Sequence, residues 1–313
     1  MRFAVIGAGG VGGFFGAKLS SAGEDVMVTA RGAHLDAMKR GGLRVSAPEG
    51  TFRIPPERCV GSPAEIGPVD TVLFCVKSYD TERSAPLLAP LIGSSTVIIS
   101  LQNGIDNEEK LARMLPGSTI FGGVAYIYST ITRPGEITVG AGPARIVFGP
   151  FEGSPPDQSR RAGEIADVCV RAGITCEAAA DVTAALWKKF IFITGAAGIT
   201  ALTRLTLGEI LAVGETRELM IDAMRETERV ALAMGVRIGD HFVDGVAATL
   251  SKFDGRTRSS LYHDLSSGKP LEIEALSGTV LRRGAALGIP TPVNRAVYAA
   301  LLPHHIHNSE SIR

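Results

Sequence analysis

Residues 3–16 read Phe3-Ala4-Val5-Ile6-Gly7-Ala8-Gly9-Gly10-Val11-Gly12-Gly13-Phe14-Phe15-Gly16, and this stretch decides the fold. An apolar run of strand character leads directly into G-x-G-x-x-G, with Gly7, Gly9 and Gly12 at the three fixed positions. Each glycine has its own task. The first permits a tight turn, the second lets backbone approach a pyrophosphate, and the third lets the following helix pack closely on the strand. The backbone of Gly7, Ala8, Gly9, Gly10, Val11 and Gly12 is therefore the expected phosphate cradle. The free N–H groups and partial positive charge of a helix N-terminus complete it. With 37 glycines in the chain, chance G-x-G patterns are common, so context decides. Here a helical stretch follows at 14–22 and a second strand at 25–29, as a dinucleotide-binding βαβ unit requires.

The second strand also bears on which dinucleotide is bound. An NAD enzyme usually carries Asp or Glu at the end of this strand to hold the ribose 2′-hydroxyl. This chain reads Val26-Met27-Val28-Thr29-Ala30-Arg31, and its nearby acids, Glu24 and Asp25, lie at the other end. Arg31 stands where a 2′-phosphate needs a cation, and a guanidinium can grip that group with a fork of donors. NADP(H) is therefore the expected cofactor; a solvated loop arginine is the competing reading. Lys39 and Arg40 are not distinguished from an ordinary exposed helix face.

Outward from this unit, strands alternate with helices through the first half. Residues 71–76 and 96–101 read as buried parallel strands, and 80–91, 107–114 and 160–172 as helices. Residues 43–45 and 51–54 read as short antiparallel strands, 119–127 and 175–178 as further strands, 136–140 with 144–148 as a hairpin, and 153–157 as a polar loop. From about 180 the period becomes helical, with helices expected at 186–194, 206–211, 216–234, 241–250, 273–287 and 294–302. The expected class is α/β: an N-terminal Rossmann-type doubly wound sheet over 1–179, binding NADP, and a C-terminal all-α domain over 180–313, bearing the substrate and catalytic groups. The tail His304-His305-Ile306-His307 reads as a frayed end without function.

Composition narrows the partners. Thirty-two basic and 32 acidic residues cancel, which argues against electrostatic binding of nucleic acid or an anionic membrane. The apolar stretch at 190–202 is short and interrupted by glycine, so no membrane span is expected. Cys59, Cys75, Cys169 and Cys176 form no C-x-x-C pair and read as reduced thiols, and the start lacks a cleavage-site pattern; a cytoplasmic protein without a metal site is expected. The Ala, Leu and Val of the helical half would suit a homodimer interface, but core packing explains them equally.

In this order, four segments resemble the ketopantoate reductases (2-dehydropantoate 2-reductases) over nearly the whole chain. They are Ala4 to Gly13 with Arg31; Phe74-Cys75-Val76-Lys77; Leu101-Gln102-Asn103-Gly104; and Trp187-Lys188-Lys189 with Ser259-Ser260-Leu261-Tyr262-His263-Asp264 and Leu271-Glu272-Ile273-Glu274. The ending Gly288-Ile289-Pro290-Thr291-Pro292-Val293-Asn294 is similar too. The resemblance implies hydride transfer from NADPH to the ketone carbon of a branched 2-keto acid.

The roles it implies are specific. Lys189 would be the general acid for the carbonyl oxygen, and Glu272 would accept from the substrate hydroxyl and steady the lysine. Ser260 would contact the substrate, with Ser259 as the nearby alternative. Asn103, at the end of a parallel strand, would touch nicotinamide ribose or substrate, against the plain reading of an Asn-Gly turn. Lys77 would reach the cofactor. Glu274, two residues past Glu272, would face elsewhere on a helix. The chain also departs from the family. Well-studied members carry asparagines four and eight residues after the lysine, where this chain has Ile193 and Ala197. Thr194 and Thr200 are the candidates to replace them. The departure leaves reaction type standing and opens the choice of carbonyl substrate. A paralogous reductase of another 2-keto acid or ketone is the first alternative, and an NADPH-binding regulator the second.

Overall fold

Strand β1 (Arg2–Ile6) is buried on both faces, as its unbroken apolar run requires, and pairs in parallel with β2 (Asp25–Thr29) and β6 (Thr71–Phe74). In this computed structural model, which describes residues 1–151, 158–250 and 254–310, the main sheet has eight strands. Its order is β12-β11-β8-β7-β6-β1-β2-β5, with β5 (Cys59–Val60), β7 (Val97–Ser100), β8 (Thr119–Tyr126), β11 (Arg145–Pro150) and β12 (Thr175–Ala178). Every pair is parallel except β8 with β11. From β5 to β8 this is the doubly wound order, in which the chain reverses direction across the sheet between β1 and β6. Helix α1 (Gly10–Ser21) follows β1, α2 (Gly32–Gly41) follows β2, α3 (Thr81–Ser84) follows β6, α4 (Asn107–Met114) follows β7, and α5 (Gln158–Arg171) precedes β12.

The hairpin expected at 136–148 does not form. Strand β10 (Glu136–Val139) turns back on β9 (Ser129–Arg133) through Gly135 and lies parallel to β3 (Leu43–Ala47), which pairs antiparallel with β4 (Gly50–Ile54). These four strands make a second sheet, while β11 joins the main one. The misreading has a local cause. The exposed β9, whose last four residues face solvent, lacks the apolar alternation that marks a strand, and the turn at 140–143 that resembled a hairpin tip carries the chain from one sheet to the other. The single helix expected at 80–91 is α3 flanked by 3₁₀ turns at Ser78–Asp80 and Ala85–Leu91, because Pro86 and Pro90 interrupt α-helical bonding. The loop expected at 153–157 lies outside the described residues.

The chain divides into two compact units: Met1–Gln102 with Asn107–Val182, and Asn103–Asp106 with Thr183–Arg313. The short segment after β7 belongs to the helical unit. That unit contains α6 (Val182–Thr203), α7 (Leu207–Ala212), α8 (Gly214–Ala233), α9 (Phe242–Ala247), α10 (Ser260–Ser266), α11 (Thr279–Ala286) and α12 (Pro292–Glu310). Helix α6 is longer than the pattern at 186–194 indicated. By length and composition alone it could cross a membrane, yet more than half of its apolar window is buried in the protein, as in a core helix. Its glycines are packing notches: a side chain at Gly195 would strike Met224 and the Met220 carbonyl of α8.

Helix α12 is also much longer than expected. The buried Glu226 carboxylate caps its start, accepting from the Val293 and Asn294 N–H groups and from Asn294 Nδ2 at 2.8–2.9 Å. The tail is ordered helix, with His305 Nδ1 accepting from the Leu271 N–H at 3.1 Å and Asn308 Nδ2 donating to the Lys269 carbonyl at 2.9 Å. His305 and Asn308, in the tail expected to fray, therefore clasp the segment that leads to Glu272. All four cysteines are free thiols, and burial pushes the Cys75 thiol up to about 12.

Candidate active site

The first unit carries the glycine loop. Gly7 sits at φ +97°, a conformation that favours glycine, and opens the turn at the end of β1. Its N–H donates to Thr29 Oγ1 at 3.1 Å, and the Ala8 N–H donates to the Thr29 carbonyl at 2.8 Å, tying the loop to the end of β2. At Gly12 a methyl group would lie 2.4 Å from the Gly7 carbonyl and 2.9 Å from Cys75 Cβ, so α1 can approach the strands only without a side chain there. At Gly9 a methyl group would meet nothing within 4 Å. The protein's own packing does not ask for glycine at this position; a ligand resting on the loop would. Gly9 is also the N-cap of α1 and offers no side-chain cap, leaving the first-turn N–H groups of the helix to an anion.

One histidine braces this loop. His34 Nε2–H donates to the Ala8 carbonyl at 2.9 Å, and Nδ1 accepts from the Gly135 N–H at 3.0 Å. These two bonds select the neutral tautomer. Burial lowers the His34 pKa below its usual value, against the smaller opposing effect of the Ala8 bond.

Arg31 is the N-cap of α2, and its guanidinium donates to Asp80 Oδ2. Asp80 Oδ1 accepts from Arg83 at 2.7 Å. The carboxylate is buried while both arginine side chains remain largely exposed. Two guanidiniums against one carboxylate leave a net positive charge beside the glycine loop. Asp80 and Arg83 escaped the sequence reading because an acid and a base on a short helix look like ordinary solvated residues. Lys77 is half-buried at the carboxyl end of β6, capping the 3₁₀ turn that bears Asp80.

The second unit gathers a different set. Lys189 Nζ on α6 donates to Asn103 Oδ1 at 2.8 Å, and Asn103 Nδ2 lies 3.5 Å from Glu272 Oε2. The amide thus stands between an ammonium and a carboxylate. Desolvation lowers the Lys189 pKa from 10.5 to about 8, and the Glu272 charge opposes this only partly. Glu272 is 5% exposed and lies just ahead of a π-helical turn over Glu274–Gly278. Glu274, two positions on, points elsewhere: its carboxylate accepts from Arg282 Nη1 at 2.8 Å and Tyr298 Oη at 2.5 Å.

Ser260 is exposed on the first turn of α10. Ser259 is the N-cap of that helix; it accepts from the Tyr262 N–H at 3.1 Å and from Thr200 Oγ1 at 2.7 Å. The two threonines offered as replacements for the missing asparagines are therefore engaged. Thr200 serves Ser259, and Thr194 is buried against Thr227 Oγ1 at 3.0 Å. Ile193, half-buried, and Ala197, buried, continue the Lys189 face of α6 as apolar side chains. Among the described residues, no three His, Cys, Asp or Glu side chains converge as a metal site. A concavity of about 600 Å³ on this unit, lined by Leu281, Tyr298, Leu302 and Ile306 among others, contains none of the Lys189 group.

A family model described as ketopantoate reductase PanE/ApbA matches residues 3–153, and its C-terminal counterpart matches 181–304. The chain belongs to the ketopantoate reductase family. A 2-dehydropantoate 2-reductase of Mesorhizobium japonicum is 31% identical over 323 residues, covering 96% of this chain and 96% of its own. The crystal structure of 2-dehydropantoate 2-reductase from Geobacter metallireducens matches with a TM-score of 0.88 at 34% identity, over 97% of this chain and 99% of that one. D-mandelate dehydrogenase, solved with NADH and anilino(oxo)acetate, matches with a TM-score of 0.89 over 99% of both chains, but at 18% identity that likeness is one of fold. Members of the ketopantoate reductase family are oxidoreductases acting on CH–OH groups, and this class holds for the chain.

Proposed function

We propose that the protein reduces 2-dehydropantoate (ketopantoate) to (R)-pantoate with NADPH, a step toward pantothenate and coenzyme A. The observation that carries this reading is the Lys189–Asn103–Glu272 group. When bound, the reduced nicotinamide supplies the hydride. As the keto carbon is reduced, charge grows on its oxygen, and Lys189 donates a hydrogen bond and then a proton to it. A lysine lowered to about 8 is still mostly ammonium at neutral pH, yet gives up its proton more readily than a solvated one. Asn103 aims the ammonium by accepting from it. Glu272 accepts from the nascent hydroxyl and helps keep the ammonium charged. Gly7 to Gly12 with the start of α1 hold the pyrophosphate, and Arg31 with Arg83, fixed by Asp80, receive the 2′-phosphate that distinguishes NADP from NAD.

A second reading differs only in substrate. Ile193 and Ala197 are apolar, and Thr194 and Thr200 are spent on Thr227 and Ser259, which favours a 2-keto acid with fewer hydroxyls than ketopantoate. NADPH oxidation should be followed with ketopantoate beside a panel of 2-keto acids, with NADH as the cofactor control. Efficient ketopantoate turnover supports the first reading. Preference for a branched 2-keto acid lacking the hydroxyl supports the second. Tight NADPH binding with no turnover of any member would leave a cofactor-binding regulator and sink both.

A further inference from the structure

The segment Asn103–Asp106 follows a strand of the first unit and precedes a helix of the same unit, yet it packs with the helical one. Its two ends do different things. Asn103 bridges Lys189 and Glu272. Asp106 is bolted to α11: Oδ1 accepts from Arg283 Nε at 3.0 Å and Nη2 at 2.5 Å, and Oδ2 accepts from Thr279 Oγ1 at 2.9 Å. Arg282 Nη2 lies 3.7 Å from Oδ2 and adds a second cation. Asp106 and Arg283 are each 21% exposed, so the bolt is largely withdrawn from screening water. Between the two ends, Gly104 turns the chain at φ +106°.

We propose that Asp106, held by Arg283 and Thr279, is a positioning residue for catalysis: it sets the Asn103 amide between Lys189 and Glu272. The inference rests on the function proposed for those residues. A neutral amide held between an ammonium and a carboxylate keeps the two from closing into a direct ion pair. Such a pair would stabilise the ammonium and make it a poorer proton donor. Charge-assisted bonds to a planar fork suit this task, because they fix direction as well as distance. Thr279 and Arg283 both belong to α11, which continues directly from the π-helical stretch that follows Glu272, so one bolt holds the amide to the structure that carries the carboxylate.

The test is Asp106→Asn in the full-length protein, with two readouts. The first needs no substrate: titration of the Lys189 Cε resonance by isotope-edited NMR, assigned with Lys189→Arg. We expect the Lys189 titration to move up from about 8 toward its ordinary value. The second is kinetic: kcat falls about 10- to 100-fold, the loss expected from slight misplacement of a reacting group, while the KM for NADPH stays within about twofold. Arg283→Lys keeps the charge without the fork and should show the same shifts in smaller measure, which covers the case that Asp106→Asn does not fold. A Lys189 titration unchanged in both variants overturns the proposal and leaves Asp106 a plain structural ion pair. If no 2-keto acid is turned over by the parent protein, the proposed function fails, and the NMR readout still decides whether Asp106 positions Asn103.

Discussion

The glycine loop and the Lys189 group are built in opposite ways. Gly7, Gly9 and Gly12 lie within one turn and its helix, and Gly7 and Gly12 answer to neighbours a few residues or one strand away. Lys189 meets Asn103 across 86 positions of sequence, and Asn103 meets Glu272 across 169. The first arrangement is a property of backbone geometry; the second is a property of packing. The loop should therefore tolerate changes that spare its backbone, and the lysine site should respond to changes far from it in sequence.

The largest expected effect separates the two regions outright. Lys189→Ala should lower turnover by about 10²- to 10⁴-fold, the usual share of a general acid, while calorimetric NADPH affinity stays within about twofold. The intact enzyme should lose kcat/KM for keto-acid reduction as pH rises through about 8, because the ammonium is the form that donates. The reverse oxidation needs the free amine and should instead fall as pH drops below the same value. A reduction profile flat from pH 7 to pH 9, roughly one unit either side of that value, would break the assignment of Lys189 as acid.

Next in size is Arg31. Removing one charge-assisted grip on a phosphate costs about 1.5–3 kcal/mol, so Arg31→Ala should weaken NADPH by roughly 10- to 150-fold and NADH hardly at all. Equal losses for both cofactors would mean that Arg31, braced on Asp80, serves the loop rather than the 2′-phosphate.

The smallest effect lies within the loop itself. Gly12→Ala forces a methyl against the Gly7 carbonyl and should destabilise the fold by about 1–3 kcal/mol, read as a lower midpoint of chemical unfolding. Gly9→Ala meets open space, so the unfolding midpoint should hold while cofactor affinity falls. If Gly9→Ala instead left binding intact, the loop would not be the pyrophosphate cradle.

The legibility of these regions follows from their construction. The strand–loop–helix and the absence of an acid after β2 could be read directly, since the relevant neighbours are close in sequence. Lys189, Asn103 and Glu272 entered through resemblance to a family; no spacing rule would have joined them. Asp80, Asp106 and His34 were missed because a charged residue that braces a loop reads like any solvated one until its partner is known. β9 was missed because its exposed face lacks apolar alternation, and with it the pairing of β10 was misjudged.

The sequence by itself determined the α/β class, the glycine loop, the change to helices near residue 180 and the cation after β2, because steric limits on φ and ψ and the burial of apolar runs act over short stretches. Only the tertiary structure decided that Glu272 faces Asn103 while Glu274 turns to Tyr298, that Asp80 braces Arg31, and that His305 of the C-terminal tail clasps a loop instead of fraying. The physical reason is the range of the forces involved: conformational preference is local, whereas desolvation and hydrogen bonding join whichever side chains the packed core brings within about 3 Å.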